Sequence, residues 1–333
     1  MHLCLVTDAW APQVNGVVRT LTRMVEEARA KGHTVSVIHP GLFKTWPCPT
    51  YPEIRLALFA GGGVRRMLDE AKPDAIHIAT EAPLGWAARK HCIKRGWPFT
   101  TSFHTKFPEY VKARTGLPTG LGYALLRTFH NRAAGVMVNT PTMYRDLSDK
   151  GIRNLLMWSR GVDTQLFRPG DKSAFDHLER PVFLYVGRVA VEKNVRDFLA
   201  LDLPGSKAVV GDGPMLETLR QRYPDVAFTG AKHGEELARH YAGGDVFVFP
   251  SRTDTYGLVM LEALASGLPV AAYPVPGPND VINGHDIGVL DDDLGRAARA
   301  AAEIPSERCR NFALDYSWTR SAEQFLDNLA PIG

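Results

Sequence analysis

Cysteine is scarce in this sequence, and the few cysteines are scattered. Cys4, Cys48, Cys92 and Cys309 form no C-x-x-C pair. That argues against a disulfide framework and against a zinc site, and it fits a reducing compartment. Charge of one sign is scarce too. The formal net charge is +3 over 333 residues, too small to recruit nucleic acid. No basic stretch precedes the apolar start, and Met1 to Asp8 soon turns polar, so it reads as a first strand and not as a signal peptide. A long unbroken apolar run is also missing. The most apolar stretch, Gly257 to Gly277, is interrupted by Glu262, Gly267 and Pro269, which makes it a poor membrane span. What remains is 45% apolar and 23% charged, ordinary for a globular chain. The expectation is a cytosolic protein, open to peripheral attachment at a membrane surface.

The chain alternates short β-rich runs with helical patterns. In the first half the strands expected are Leu3–Thr7, Thr34–His39, Ile54–Leu58, Ala75–Ile78, Phe99–Phe103, Gly135–Asn139 and Leu155–Trp158, with helices such as Val17–Ala30, Pro83–Lys94 and Pro141–Lys150 between them. A segment rich in Gly, Pro and charge, residues 161–180, reads as a linker. A second series follows, with strands Val182–Val186, Lys207–Val210, Val226–Thr229, Val246–Phe249 and Val270–Tyr273. Strands alternating with helices imply an α/β fold with parallel sheets covered on both faces. The expected domains are 1–160, a linker 161–180, a second domain 181–310, and a terminal segment 311–333 that packs back on the first domain. Two such domains should enclose a cleft.

Functional residues in such sheets belong to loops after the strands. After the first strand, Asp8 to Asn15 leads to Gly16, where a helix opens; it suits close backbone approach to a ligand or an ordinary tight turn. After another strand stands His104, a substrate contact or a structural histidine. The loop after Val182–Val186 carries Arg188 and Lys193, two cations that suit either a diphosphate or neighbouring surface carboxylates. Gly211-Asp212-Gly213-Pro214 begins like a dinucleotide fingerprint, but the third glycine is missing, so nicotinamide binding is a poor reading. Pro250 to Gly267 is the most telling stretch. A helix opening at Gly257 is apolar on every side except at Glu262, the only formal charge between Asp254 and Asp280. A helix apolar all round is buried. A carboxylate within it either sits at a solvated edge favoured by the helix dipole, or binds a ligand's hydroxyl groups while preceding backbone N–H groups face an anion.

A basic, aromatic set lies in the first half. It runs from Arg65 and Arg66 through Trp86, Arg89, Lys90, Lys94, Arg95 and Trp97 to Lys112, Arg114, Arg127 and Arg132, which surround the apolar run Leu117 to Phe129. These are either solvated helix faces or a patch that attracts anionic lipid headgroups.

Taken in order, Asp8 to Thr20, Ser102 to Tyr110, Arg160 to Pro169, Tyr185 to Asn194, Val210 to Pro214 and Pro250 to Gly267 resemble glycosyltransferase family 4. The flavour is that of bacterial mannosyltransferases and glycolipid synthases related to sulfoquinovosyl-diacylglycerol synthase. The resemblance implies the GT-B fold, two Rossmann-like domains with parallel sheets facing across a cleft. It implies retaining transfer of a hexose from a UDP- or GDP-sugar, with no metal and no cofactor required. It places Gly16 near the donor phosphate and sugar, His104 near the transferred sugar, and Arg188 with Lys193 at the leaving diphosphate. Gly257, Leu258 and Val259 would offer backbone to phosphate, Asp254 would contact the sugar, and Glu262 would bind ribose hydroxyls. The family's usual first acid is Glu; here it is Asp254, one methylene shorter. The favoured acceptor is a membrane lipid or glycolipid such as diacylglycerol, at an anionic cytosolic membrane face. Alternatives are a soluble or polysaccharide acceptor, a sugar-nucleotide epimerase or phosphorylase of the same architecture, and a non-catalytic nucleotide-sugar-binding protein.

Overall fold

The computed structural model describes residues 1–333 except 14, 49–50, 105–107, 110–115, 117, 253 and 255, and except the side chains of 48 and 51–54. Lys112 and Arg114 therefore lie outside the described residues, as does most of the stretch after His104. The chain divides into two compact units: Met1–Arg160 with Trp318–Gly333, and Gly161–Ser317.

The strands of the first unit are β1 (His2–Val6), β2 (Thr34–Ile38), β3 (Thr45–Cys48), β4 (Tyr51–Ala57), β5 (Ala75–Ile78), β6 (Thr100–Ser102), β7 (Gly135–Val138) and β8 (Leu155–Met157). Six of them form one parallel sheet in the order β2-β1-β5-β6-β7-β8. All four residues of β5 and of β7 are buried, as expected where helices cover both faces. The expected strand Ile54–Leu58 differs. It falls on β4, which pairs antiparallel with β3 in a separate two-stranded hairpin. The register explains this: Ala57 packs inward while Trp46, Leu58 and Lys44 remain outside, so the hairpin has one wet face and cannot sit inside a doubly covered sheet.

The second unit has β9 (Val182–Val186), β10 (Ser206–Val210), β11 (Ala227–Gly230), β12 (Val246–Phe249), β13 (Val270–Ala272) and β14 (Gly288–Leu290). They form a parallel sheet in the order β11-β10-β9-β12-β13-β14. Both sheets reverse direction once, at β1/β5 in the first and at β9/β12 in the second. Loops leaving the strands at such a reversal splay apart and leave a crevice.

Residues 161–180 are not a free linker. Val162, Phe167 and Phe175 are buried in the core of the second unit. Arg310 donates to the carbonyls of Thr164 and Phe167 and also to Ala265, and Lys172 and Arg180 both pair with Asp245. Proline, glycine and charge suggested a spacer, but three apolar anchors and a half-buried arginine bind it down. The break expected at 310/311 also moves, because helix Ser306–Leu314 stays with the second unit and packs against helix Leu258–Ala265. From Trp318 onward the chain belongs to the first unit. Helix Trp318–Asp327 buries Trp318, Ala322 and Phe325, and it is tied to helix Gly16–Ala30 by Lys31–Glu323 at 2.6 Å and Thr319–Glu27 at 3.1 Å.

Candidate active site

In the second unit, the two loops at the sheet reversal meet. The first runs from Gly187 to Asn194 after β9, and the second from Pro250 to Gly257 after β12. Asn194 adopts the left-handed conformation at φ 51° and its amide donates to the Pro250 carbonyl at 3.4 Å. Lys193 crosses the same gap, its Nζ 2.5 Å from Asp254 Oδ1. Arg188 is two-thirds exposed, 3.9 Å from Glu192. Both cations thus face carboxylates, and Arg188 does so only loosely.

The glycines of Gly211-Asp212-Gly213 explain how the first loop is held. A Cβ on Gly211 would lie 1.9 Å from the Gly187 carbonyl oxygen, and one on Gly213 would lie 2.4 Å from that of Val189. Backbone bonds lock the two loops together: Gly187 N–H to Val210, Val189 N–H to Asp212 and Met215 N–H to Val189. The Tyr185 hydroxyl adds a bond to the Arg188 carbonyl at 2.8 Å. The fingerprint-like motif is therefore a platform for the Arg188 loop.

Helix Leu258–Ala265 begins at Gly257, whose φ of 75° only glycine adopts easily. The first N–H groups of any helix lack partners within it, and here they belong to Leu258 and Val259. Residues 260–265 are all buried. Glu262 is 3% exposed, and its Oε2 accepts the Tyr241 hydroxyl at 2.9 Å. Tyr241 comes from helix Gly234–Gly243. It is a partner the sequence did not reveal, because nothing ties a tyrosine 21 residues upstream to this helix. Arg252 stacks on Tyr273, its guanidinium carbon 3.5 Å from the ring centre.

In the first unit, Asn15 caps helix Gly16–Ala30, its Oδ1 accepting from Val17 and Val18 N–H at 3.0 Å. Gly16 has open space where a Cβ would be. The crevice at the β1/β5 reversal is filled by Asp8. Its carboxylate accepts from Thr80 at 3.0 Å and from the Leu84 and Gly85 N–H groups opening helix Pro83–Arg95. Burial pushes the Asp8 carboxyl up to about 6, against the pull of those bonds.

His104 follows β6 and is wired from both sides. Its Nε2 lies 2.8 Å from Ser102 Oγ, and its Nδ1 lies 3.0 Å from Arg160 Nη2. Ser102 Oγ in turn lies 3.1 Å from His77 Nε2. Arg160 also stacks on Trp158, and Phe325 of the terminal helix packs on both Trp158 and His77. The basic, aromatic set is largely spent on internal contacts. Trp86 packs edge-on against Phe129, Arg89 donates to the Phe129 carbonyl, Arg95 pairs with Asp69 and Arg127 donates to the Lys150 carbonyl. Among the described residues, no three His, Cys, Asp or Glu side chains gather as a metal-binding group, and no helix is long and apolar enough to cross a membrane.

Two parallel-sheet Rossmann-like units are the architecture of the GT-B fold. The Glycosyltransferase Family 4 model matches residues 14–166, and the model for glycosyl transferases group 1 matches 180–304. The GDP-mannose-dependent alpha-mannosyltransferase of Mycobacterium tuberculosis is 30% identical over 362 residues, with 98% of this chain and 95% of that protein covered. The same organism's GDP-mannose-dependent alpha-(1-6)-phosphatidylinositol monomannoside mannosyltransferase is 35% identical over 336 residues, covering 92% and 82%. Sucrose-phosphate synthase from Thermosynechococcus elongatus shares the fold with a TM-score of 0.77 at 21% identity, covering 98% and 97%. The chain belongs to glycosyltransferase family 4, and it is a glycosyltransferase.

Proposed function

We propose that this protein transfers a hexose from a nucleoside diphosphate sugar to a lipid hydroxyl, with retention at the anomeric carbon. The observation that carries the donor side is the meeting of Lys193 and Asp254 across the reversal of the second sheet, beside the Gly257-led helix. In this reading Arg188 and Lys193 take the leaving diphosphate, together with the Leu258 and Val259 N–H groups. Asp254 contacts the sugar and Glu262 accepts from the ribose hydroxyls. From the first unit, Gly16 and His104 serve the phosphate and the transferred sugar.

The chemistry needs no covalent enzyme intermediate. The acceptor oxygen bonds to the anomeric carbon as the bond from that carbon to phosphate breaks, on the same face of the ring. The acceptor's proton passes to a departing phosphate oxygen. Negative charge grows on the diphosphate, so fixed cations and N–H dipoles lower the barrier. In this reading they take the place of a metal, and no further cofactor is required.

GDP-mannose is the donor we favour over UDP-sugars, because both mycobacterial relatives are named for it. A lipid acceptor is supported by the phosphatidylinositol mannoside in the name of one. Exposed apolar groups support work at a membrane surface, which we place at the cytosolic, anionic face. Leu121 and Leu125 stand one turn apart on helix Thr119–His130, and Trp46 and Phe59 protrude near the β3–β4 hairpin. The test is a matrix of GDP- and UDP-sugars against lipid and soluble acceptors, with product mass and anomeric configuration determined. An α-mannosyl lipid is expected. Products on soluble acceptors alone would overturn the lipid reading, and loss of donor without any glycosylated product would overturn transfer. Flotation with anionic vesicles at low salt checks the membrane reading, and a chain left unbound would contradict it.

A further inference from the structure

We infer that Arg160 is a positioning residue that locks His104 as the neutral imidazole carrying its proton on Nε2. The step from geometry to tautomer is short. A guanidinium only donates hydrogen bonds, so His104 Nδ1, 3.0 Å from Arg160 Nη2, must accept. A neutral imidazole then carries its proton on Nε2, which donates to Ser102 Oγ at 2.8 Å. Protonating Nδ1 would set N–H against N–H and place two positive charges in contact.

Every element around the ring favours the same state. From β5, His77 is fully buried, with Nδ1 2.9 Å from Thr100 Oγ1 and Nε2 on Ser102. From helix Thr119–His130, His130 is fully buried between Thr101 at 2.9 Å and Glu81 at 3.0 Å. Glu81 is the nearby carboxylate, and it is turned to His130 rather than to His104. After β8, Trp158 packs edge-on to His104 with ring centres 6.0 Å apart, and Arg160 lies over the same indole. Burial first, and then the Arg160 charge, hold the His104 imidazole well below its usual range. The helix Trp318–Asp327 backs this assembly through Gln324, which accepts from Ser159 N–H at 2.7 Å, beside Arg160 in the chain.

The consequence concerns the reaction. Both ring nitrogens of His104 are engaged within the first unit, so the ring serves as a fixed neutral group and not as a proton shuttle. The proton released by the acceptor goes to the departing phosphate, as proposed above. This consequence rests on the placement of His104 beside the transferred sugar; the tautomer itself does not.

The experiment is ¹⁵N NMR of the full chain labelled at histidine, with the His104 signals identified by their loss in His104→Gln. In the wild type, Nε2 is expected to be the protonated nitrogen, with no titration of His104 between pH 8 and pH 5. Arg160→Met, which removes the donor facing Nδ1 while burial still keeps the ring neutral, is expected to shift His104 towards the Nδ1-protonated tautomer. Arg160→Lys, which keeps a donor cation, is expected to restore the wild-type tautomer. A wild-type His104 protonated on Nδ1, or one that titrates above pH 5, would overturn the lock even if no variant folds. An Arg160→Met protein with the wild-type tautomer would overturn it as well. A locked tautomer together with full activity in His104→Gln upholds the lock and overturns only the placement of His104 at the sugar.

Discussion

Lys193 and Asp254, 61 residues apart in sequence, form an ion pair of 2.5 Å across the sheet reversal of the second unit. Their side chains are 26% and 23% exposed, so water screens the pair only in part. The cation proposed for the diphosphate is thus paired with the acid proposed for the sugar. In the proposed reading, donor binding exchanges one partner of Lys193 for another and frees the Asp254 carboxylate for the sugar.

This exchange predicts opposite effects on binding and turnover. Asp254→Asn should bind the nucleoside diphosphate about fivefold more tightly, since the competing pair is worth roughly 1 kcal/mol. Transfer should fall, because the sugar loses its acid. Calorimetry with GDP and UDP beside steady-state kinetics checks both. Weaker diphosphate binding in Asp254→Asn would contradict the exchange.

At Gly16, folding and function should separate. A Cβ there meets nothing, and its φ carries no left-handed constraint, so Gly16→Ala should keep the wild-type melting temperature or exceed it. If the empty space is kept for the donor, kcat/KM should nonetheless drop about tenfold, some 1.4 kcal/mol of transition-state stabilisation. An alanine variant that is both stable and fully active would remove Gly16 from the donor site.

The buried histidine His77 gives stability a pH dependence. Burial lowers its pKa from 6.5 to about 3, so between these values the unfolded chain binds a proton that the folded one does not. Its contribution is complete above 6.5 and is lost as pH falls towards 3, at up to about 1.4 kcal/mol per pH unit. Urea unfolding of wild type and His77→Gln across that window should show a shallower slope in the variant. Parallel curves would contradict the assignment.

Much of the fold was legible because it depends on local pattern. Val182–Val186 is a run of apolar and aromatic residues, and it folds as the fully buried β9. Leu258–Ala265 was recognisable as a buried helix because only Glu262 breaks its apolar surface. What escaped depends on partners distant in sequence. The linker reading missed that Arg310 would tie down residues 164 and 167. Trp86 belonged to a set open to two readings, a solvated helix face or a lipid-facing patch, because nothing nearby announces Phe129 as its packing partner. Arg160 was legible only as part of a motif; its bond to His104 spans 56 positions and emerges once β6 and β7 are paired and β7 and β8 are paired. Glycines Gly211 and Gly213 drew attention as a broken nucleotide motif, while their demand comes from the carbonyls of the neighbouring loop.

Glu262 offers a test that separates ribose binding from mere structure. Its carboxylate accepts the Tyr241 hydroxyl, a bond that glutamine can also accept, so Glu262→Gln should fold. A donor lacking one ribose hydroxyl should be a poorer substrate for wild type, by about tenfold, yet only slightly poorer for Glu262→Gln. Equal discrimination by both proteins would place the ribose elsewhere.

The most direct test of the donor site is transfer by Lys193→Ala and Glu262→Gln, each confirmed folded by circular dichroism and thermal melting. Loss of a charged ligand contact is worth about 1.5–3 kcal/mol, so each variant should lose about tenfold or more in kcat/KM for the nucleotide sugar. Near-wild-type kinetics in both folded variants would contradict the site.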